Sequence, residues 1–153
     1  MPTFHIRDAE PADVELILSF IRELAVYEKM EDEVVADETT LSEHLFDKKS
    51  CHCILAFEND LPIGFALYFF NFSTFVGKQG LYLEDLFVKP ERRGKGYGKK
   101  LLFELMQIAK QKKCARMEWA VLNWNTPAIE FYKSIGAKAM SEWTVYRMTD
   151  SQF

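Results

Sequence analysis

Cysteine is scarce in this sequence and odd in number, with Cys51, Cys53 and Cys114 among 153 residues. Such a set does not form a disulfide framework and favours a reducing compartment. Long apolar runs are missing as well, because no stretch approaches the roughly 18 residues that span a bilayer. The first residues lack the apolar core of a signal peptide. We therefore expect a cytoplasmic protein with no membrane segment.

Clusters of metal ligands are also scarce. Cys51-His52-Cys53 is a candidate, but side chains alternate along a strand, so His52 is expected to point away from both thiols. No second ligand pair accompanies this segment, whereas structural zinc sites take four ligands. We expect two buried strand cysteines here and no metal.

Positive charge is not in excess, since the formal net charge is −4. This balance disfavours a nucleic-acid binder that depends on neutralising phosphates. The charges are unevenly distributed, however: acids predominate from Tyr27 to Asp47, and lysine and arginine predominate from Lys89 to Lys113. One part of the molecule therefore suits a cationic partner and another part suits an anionic one.

What the sequence has is apolar and aromatic side chains, 48% and 14% of the residues, which is enough for the core of one domain. Periodicity predicts strands at residues 4–7, 51–58, 63–72, 80–88, 115–122 and 143–148. It predicts helices at residues 11–27, 39–46, 98–113 and 126–135. The order β-α-α-β-β-β-α-β-α-β, with no linker or repeat, indicates a single α+β domain over residues 1–153 with a mixed sheet.

A glycine-rich, basic loop from Lys89 to Gly98 joins a predicted strand to a predicted helix. Glycines allow the main chain to approach an anion closely, and a helix N-terminus adds partial positive charge. The spacing is not that of a dinucleotide-binding loop, and the loop follows the fourth strand rather than the first. It also lacks the Walker pattern G-x-x-x-x-G-K-[ST]. The loop therefore predicts a phosphate or pyrophosphate site of another kind.

Residues 93–98, Arg-Gly-Lys-Gly-Tyr-Gly, fit the pattern R-x-x-G-x-G. With the strand before them and Asn125…Tyr132 after them, the chain resembles the GNAT acetyltransferase superfamily along its whole length. Residues 22–30, 82–88 and 124–133 are similar to the diamine acetyltransferases, the spermidine/spermine and thialysine group. The resemblance implies the GNAT fold, a mixed and mostly antiparallel central sheet flanked by helices. It also implies an N-acetyltransferase that moves acetyl from acetyl-CoA to a primary amine by direct attack.

The resemblance implies that acetyl-CoA lies on the glycine-rich loop and on the strand before it. An N–H near Val88 would then stabilise the thioester oxygen. Asn125 would contact the cofactor, although helix capping equally explains an asparagine there. The cofactor-binding residues implied are Leu86, Phe87, Val88, Arg93, Gly94, Lys95, Gly96, Tyr97, Gly98, Lys99, Asn125, Thr126, Pro127 and Ala128.

Two residues match catalytic positions of the family. A primary ammonium has a pKa near 10.4 and is almost wholly protonated at neutral pH. A carboxylate can bind it and take its proton, directly or through water. Glu84 matches that base; Asp85 lies beside it, and because strand residues alternate we expect only one of the two to face the cleft. Tyr132 matches the family's acid for the departing thiolate, although a helical stripe would also place it in the core.

Tyr27 and Glu28 match substrate-binding positions, with Glu28 suited to the second ammonium of a diamine; the alternative is one more exposed acid. Phe75 replaces a tryptophan of the relatives, which weakens the substrate prediction. The resemblance implies a small cationic amine as substrate and a homodimer. Other possibilities are acetylation of an aminoglycoside, a protein N-terminus or a lysine, or a non-catalytic CoA-binding module.

Overall fold

A five-stranded sheet in the order β1-β2-β3-β4-β5 forms the centre of the computed structural model, which describes residues 2–153. The strands are β1 (Phe4–Asp8), β2 (His52–Glu58), β3 (Leu61–Ser73), β4 (Lys78–Val88) and β5 (Met117–Trp119). The first four pair antiparallel and β5 pairs parallel to β4. This confirms the predicted α+β class with a mixed, mostly antiparallel sheet.

The described residues also form four α-helices: α1 (Val14–Tyr27), α2 (Glu38–Ser42), α3 (Tyr97–Gln111) and α4 (Thr126–Ser134). A 3-10 turn, Pro11–Asp13, leads into α1, and a π-helical turn, Glu43–Asp47, follows α2. Asp37 caps α2 by accepting a hydrogen bond from the Thr40 backbone N–H at 2.8 Å. The helices thus begin near the caps and prolines that predict them.

The described residues form two compact units, residues 2–120 and residues 121–153. The first contains the whole sheet with α1, α2 and α3, and the second contains α4 and the chain after it. The single domain over residues 1–153 stays a prediction. None of the described helices is long and apolar enough to cross a membrane.

The two faces of the sheet in the first unit carry different partners. Cys53, Leu55 and Phe57 of β2 share a core cluster with residues of α1 such as Phe20. Phe20 is fully buried and its ring lies parallel to that of Phe65, with centroids 5.5 Å apart. The alternate residues of β2 point to the opposite face, where α3 buries the stripe Leu101, Leu102, Leu105 and Ala109.

Two predicted strands differ in the structure. The predicted strand at residues 115–122 is reduced to Met117–Trp119, because its parallel pairing with β4 covers only Leu81–Leu83. The predicted strand at Trp143–Met148 is wrong: these residues form no strand in the described chain, and Trp143 is 75% exposed. Alternating apolar residues favour a strand only where a neighbouring strand supplies hydrogen bonds.

We predict that Phe20→Ala lowers the free energy of unfolding by about 3–5 kcal/mol, since it removes a buried ring and leaves a cavity. Urea denaturation with circular dichroism measures the change. Phe75→Ala is the matched control, because Phe75 is fully exposed, and a change within about 0.5 kcal/mol is expected there. Equal losses in the two variants would contradict this description of the core.

Candidate active site

Strand β4 separates from β5 after Leu83. Its residues 85–88 pair with β3 on one side only, as far as the described residues go. The other edge of this segment therefore presents backbone groups that a ligand's amides could use. The predicted cofactor residues Leu86, Phe87 and Val88 occupy this segment. Gly64 of β3 lies tightly against its end, because a Cβ there would come 2.5 Å from the Phe87 carbonyl oxygen.

The glycine-rich loop follows β4 directly and ends at the start of α3. Gly94 and Gly96 both have a φ of +81°, which L side chains rarely adopt, and a Cβ at either would meet nothing within 4 Å. Their backbone is therefore open to a bulky anion. Gly94, Lys95, Gly96 and Lys99 are exposed, and Tyr97 and Gly98 open the first turn of α3. These features fit the pyrophosphate of a nucleotide cofactor at a helix N-terminus.

Arg93 joins this loop to the end of α1. Its Nε donates a hydrogen bond to the Val88 carbonyl oxygen at 2.9 Å. Its guanidinium carbon lies 4.7 Å from the ring centroid of Tyr27 and 5.3 Å from that of Phe87. Cation–π contacts of this kind hold an arginine in place. The structure thus brings Tyr27, a predicted amine-site residue, next to the predicted cofactor residues.

A β-bulge in β4 changes how the two adjacent acids are presented. Leu67 of β3 pairs with Asp85 and the next residue, Tyr68, pairs with Leu83, so that Glu84 is the extra residue. A bulge interrupts the strict alternation of side chains along a strand. The expectation that only one of Glu84 and Asp85 faces the cleft assumed a regular strand, so here it stays a prediction.

Three carboxylates influence one another at this bulge. The pKa of half-buried Asp85 is raised to about 7, chiefly by burial and then by the charges of Glu84 and Glu28. Burial and the charge of Glu84 also raise the pKa of Glu28. Glu84 itself is exposed. Like charges close enough to raise one another's pKa suit a cationic partner, and we call Glu28, Glu84 and Asp85 the acidic triad.

The remaining predicted residues lie in the second unit. Asn125, which is buried, precedes α4, and its side chain makes no capping hydrogen bond to that helix. Thr126, Pro127 and Ala128 form the first turn of α4. Tyr132 lies in α4, half-buried, with its ring centroid 5.6 Å from that of Phe131. The roles of these residues stay predictions.

Sequence reasoning missed two features of the first unit. Asp85 was named only as the neighbour of Glu84. Its electrostatic interaction with Glu28 joins residues far apart in the chain, so no local sequence pattern indicates it. Glu58 was assigned only to the end of a strand, although Tyr97 donates a hydrogen bond to it.

Within the described chain, no cluster of three or more histidine, cysteine or acidic side chains is arranged for a metal ion.

Comparison with known proteins identifies the class. Residues 18–137 match the Acetyltransferase (GNAT) family, and the chain belongs to that family. It is 37% identical to the thialysine N-epsilon-acetyltransferase of Bos taurus over 93% of this chain and 90% of the relative. It is 31% identical to an L-ornithine N5-acetyltransferase of Arabidopsis thaliana, over 97% of this chain and 87% of the relative.

Among solved structures, an integron cassette protein from V. cholerae superposes with a TM-score of 0.77 at 32% identity, covering 95% of this chain and 92% of that one. The fold and these relatives together define an acetyl-CoA-dependent N-acetyltransferase that acetylates amines. The open backbone at Gly94 and Gly96 fits that cofactor, and so does the end of β4, which pairs only with β3 among the described residues.

We predict that Asp85→Asn stabilises the protein at pH 8 by about 2–4 kcal/mol and that the gain disappears near pH 4. The folded-state pKa of Asp85 is raised to about 7, so ionising it costs folding free energy as pH rises from about 4 to 7. Asparagine, which does not ionise, removes this cost. Urea denaturation of both proteins across this range measures the difference.

The control for this prediction is Asp32→Asn, because Asp32 is exposed and lies outside the acidic triad. Its stability difference from the wild type is expected to be small at every pH. A difference between wild type and Asp85→Asn that does not change with pH would contradict the raised pKa.

Proposed function

We propose that this enzyme acetylates a primary amine of a small diamine, a polyamine or a thialysine-like lysine analogue. The observation that carries the proposal is the acidic triad, Glu28, Glu84 and Asp85, next to the cofactor strand. Three carboxylates favour a substrate with more than one positive charge. The named activities of the Bos taurus and Arabidopsis thaliana relatives, on thialysine and L-ornithine, support it because both amino acids carry a side-chain ammonium.

The triad also suits the first chemical requirement, which is to remove a proton from the ammonium. At pH 7.4 only about one primary amine in 10³ is neutral. A base works best when its pKa lies near the working pH, and the pKa of Asp85 is raised to about 7. We assign proton removal to the Glu84–Asp85 pair, directly or through water, with Glu84 on the substrate side and Asp85, whose pKa lies near the working pH, beside it.

The rest of the reaction follows from the acetyl thioester that acetyl-CoA supplies when bound. The amine nitrogen forms the C–N bond while the C–S bond breaks, and a backbone N–H near Val88 stabilises the carbonyl oxygen. Tyr132, a phenol that is protonated at neutral pH, gives its proton to the departing thiolate. In this proposal the pyrophosphate is held by the backbone N–H groups of Arg93, Gly94, Lys95, Gly96, Tyr97, Gly98 and Lys99. Further cofactor-binding residues in the proposal are Asn125, Thr126, Pro127 and Ala128.

A homodimer is part of the proposal. Apolar side chains in the segment after α4 support it, because Trp143, Val145 and Tyr146 are 75%, 87% and 92% exposed. Exposed aromatic and aliphatic side chains grouped in one segment are typical of protein interfaces. A cytoplasmic location likewise remains a prediction.

The amine specificity is tested with an acetyl-CoA consumption assay on thialysine, ornithine, lysine, spermidine, putrescine, butylamine and aminoglycosides. We expect turnover of one or more of the small diamines. In Glu28→Gln we expect KM for putrescine to rise about tenfold or more, because a charge-assisted contact is lost. KM for butylamine, which has one ammonium and the same carbon chain, should change little.

Glu31→Gln is the matched control, since Glu31 is an exposed acid a short distance along the chain. Equal effects of Glu28→Gln on putrescine and butylamine would remove the distal-ammonium role of Glu28. Turnover of aminoglycosides alone would replace the diamine proposal with that class of substrate.

We predict that Tyr132→Phe lowers kcat on the order of 10²-fold or more, the usual contribution of a general acid. Binding of acetyl-CoA should stay near wild type, because the ring is kept. Stopped-flow release of free thiol measures kcat, and calorimetry measures binding. Tyr146→Phe is the control, since Tyr146 is 92% exposed in the same unit. Unchanged turnover in Tyr132→Phe would remove it as the acid.

A further inference from the structure

Glu58, the last residue of β2, holds a carboxylate against the glycine-rich loop, and only 7% of its side chain is exposed. Three groups of the loop and of α3 converge on it. The Tyr97 hydroxyl donates a hydrogen bond to Oε2. Nε of Arg92 lies 2.9 Å from Oε1, and Nζ of Lys95 lies 3.6 Å from Oε2. One buried acid therefore connects to three positions of the cofactor loop.

The surrounding groups keep this acid charged. The hydrogen bond from Tyr97 lowers the pKa of Glu58, and the cations Lys95 and Arg92 lower it further, against the opposing effect of burial. The same hydrogen bond raises the pKa of Tyr97, so the phenol keeps its proton. Nε of Arg92 makes no hydrogen bond in the part of the chain described. Its contact with Glu58 is therefore an ion pair.

Tyr97 is fixed from a second direction by β1. Its ring lies parallel to that of Phe4, with centroids 4.6 Å apart, and Nζ of Lys100 lies 4.8 Å from the Phe4 centroid. Phe4 is also the register partner of Glu58 in the β1–β2 ladder. The anchor of the loop is thus built from two paired strands and not from the loop itself.

The loop needs such an anchor because its own sequence is permissive. Gly94 and Gly96 take left-handed conformations, and glycine loses more conformational freedom on ordering than any other residue. Backbone N–H groups bind an anion well only if they already point at it, since ordering them during binding reduces affinity. A carboxylate near the site also repels the anion. If Glu58 acts by positioning the loop, removing its charge weakens anion binding. If it acts by repulsion, removing its charge strengthens anion binding.

We propose that Glu58 is a positioning residue that holds the cofactor loop in its anion-binding conformation through Tyr97, Arg92 and Lys95. The inference rests on the proposed pyrophosphate site at residues 93–99. In this arrangement Arg92 and Lys95 serve chiefly to tie the loop to β2, and the anion is bound mainly by backbone N–H groups and the N-terminus of α3.

The test is calorimetric binding of CoA, without amine, to the full chain and to Glu58→Gln. We expect Kd for CoA to rise about tenfold, and KM for acetyl-CoA to rise in parallel while kcat stays within about twofold. A lower Kd in Glu58→Gln would mean that repulsion outweighs positioning and would overturn the inference. An unchanged Kd with a lower melting temperature would overturn it as well, because Glu58 would then support only stability.

Two further variants complete the experiment. Glu91→Gln removes an exposed acid of the same loop, and Kd for CoA should stay the same or fall slightly. Tyr97→Phe keeps the ring on Phe4 but removes the hydrogen bond, so Kd should rise even if Glu58→Gln does not fold; an unchanged Kd there overturns the inference. If the wild type binds no CoA, the proposed cofactor site fails and the inference with it. If all proteins bind CoA equally, only the inference fails.

Discussion

The ladder between β3 and β4 is the interaction on which the candidate site depends. It continues to Val88 after β5 has separated from β4, so the end of β4 is supported on one side and accessible on the other. Gly64 allows the close approach that this pairing needs. The same ladder contains the bulge at Glu84, next to Asp85. The residues proposed for the cofactor and for proton removal from the amine therefore lie on one strand pair.

Side chains from outside that ladder then fix the loop that follows it. Arg93 contacts Tyr27 at the end of α1 and the Val88 carbonyl oxygen. On the other face of the sheet, Tyr97 and Arg92 contact Glu58. The loop thus has a contact to α1, which carries the amine-site candidates, and a contact to β2. Its glycines supply an open main chain, and these neighbours supply its conformation.

Much of this could be predicted from the sequence, and the errors have physical causes. The helices expected at residues 11–27, 98–113 and 126–135 follow from local periodicity, and the structure contains α1, α3 and α4 there. The strand expected at residues 143–148 and the length expected for β5 were wrong, since strand formation depends on a distant partner. Alternation could not assign the facing directions of Glu84 and Asp85, because a bulge interrupts it at Glu84.

The sequence by itself determined the family and the order of elements as far as α4, because motif spacing and hydrophobic periodicity are properties of neighbouring residues. It also identified the glycine-rich loop as the cofactor candidate. Only the tertiary structure decided which acids act together and what holds the loop. The raised pKa of Asp85 requires burial and the charges of Glu84 and Glu28, and the Glu58 network joins residues 39 positions apart. Such effects arise from distances in space, which spacing along the chain does not give.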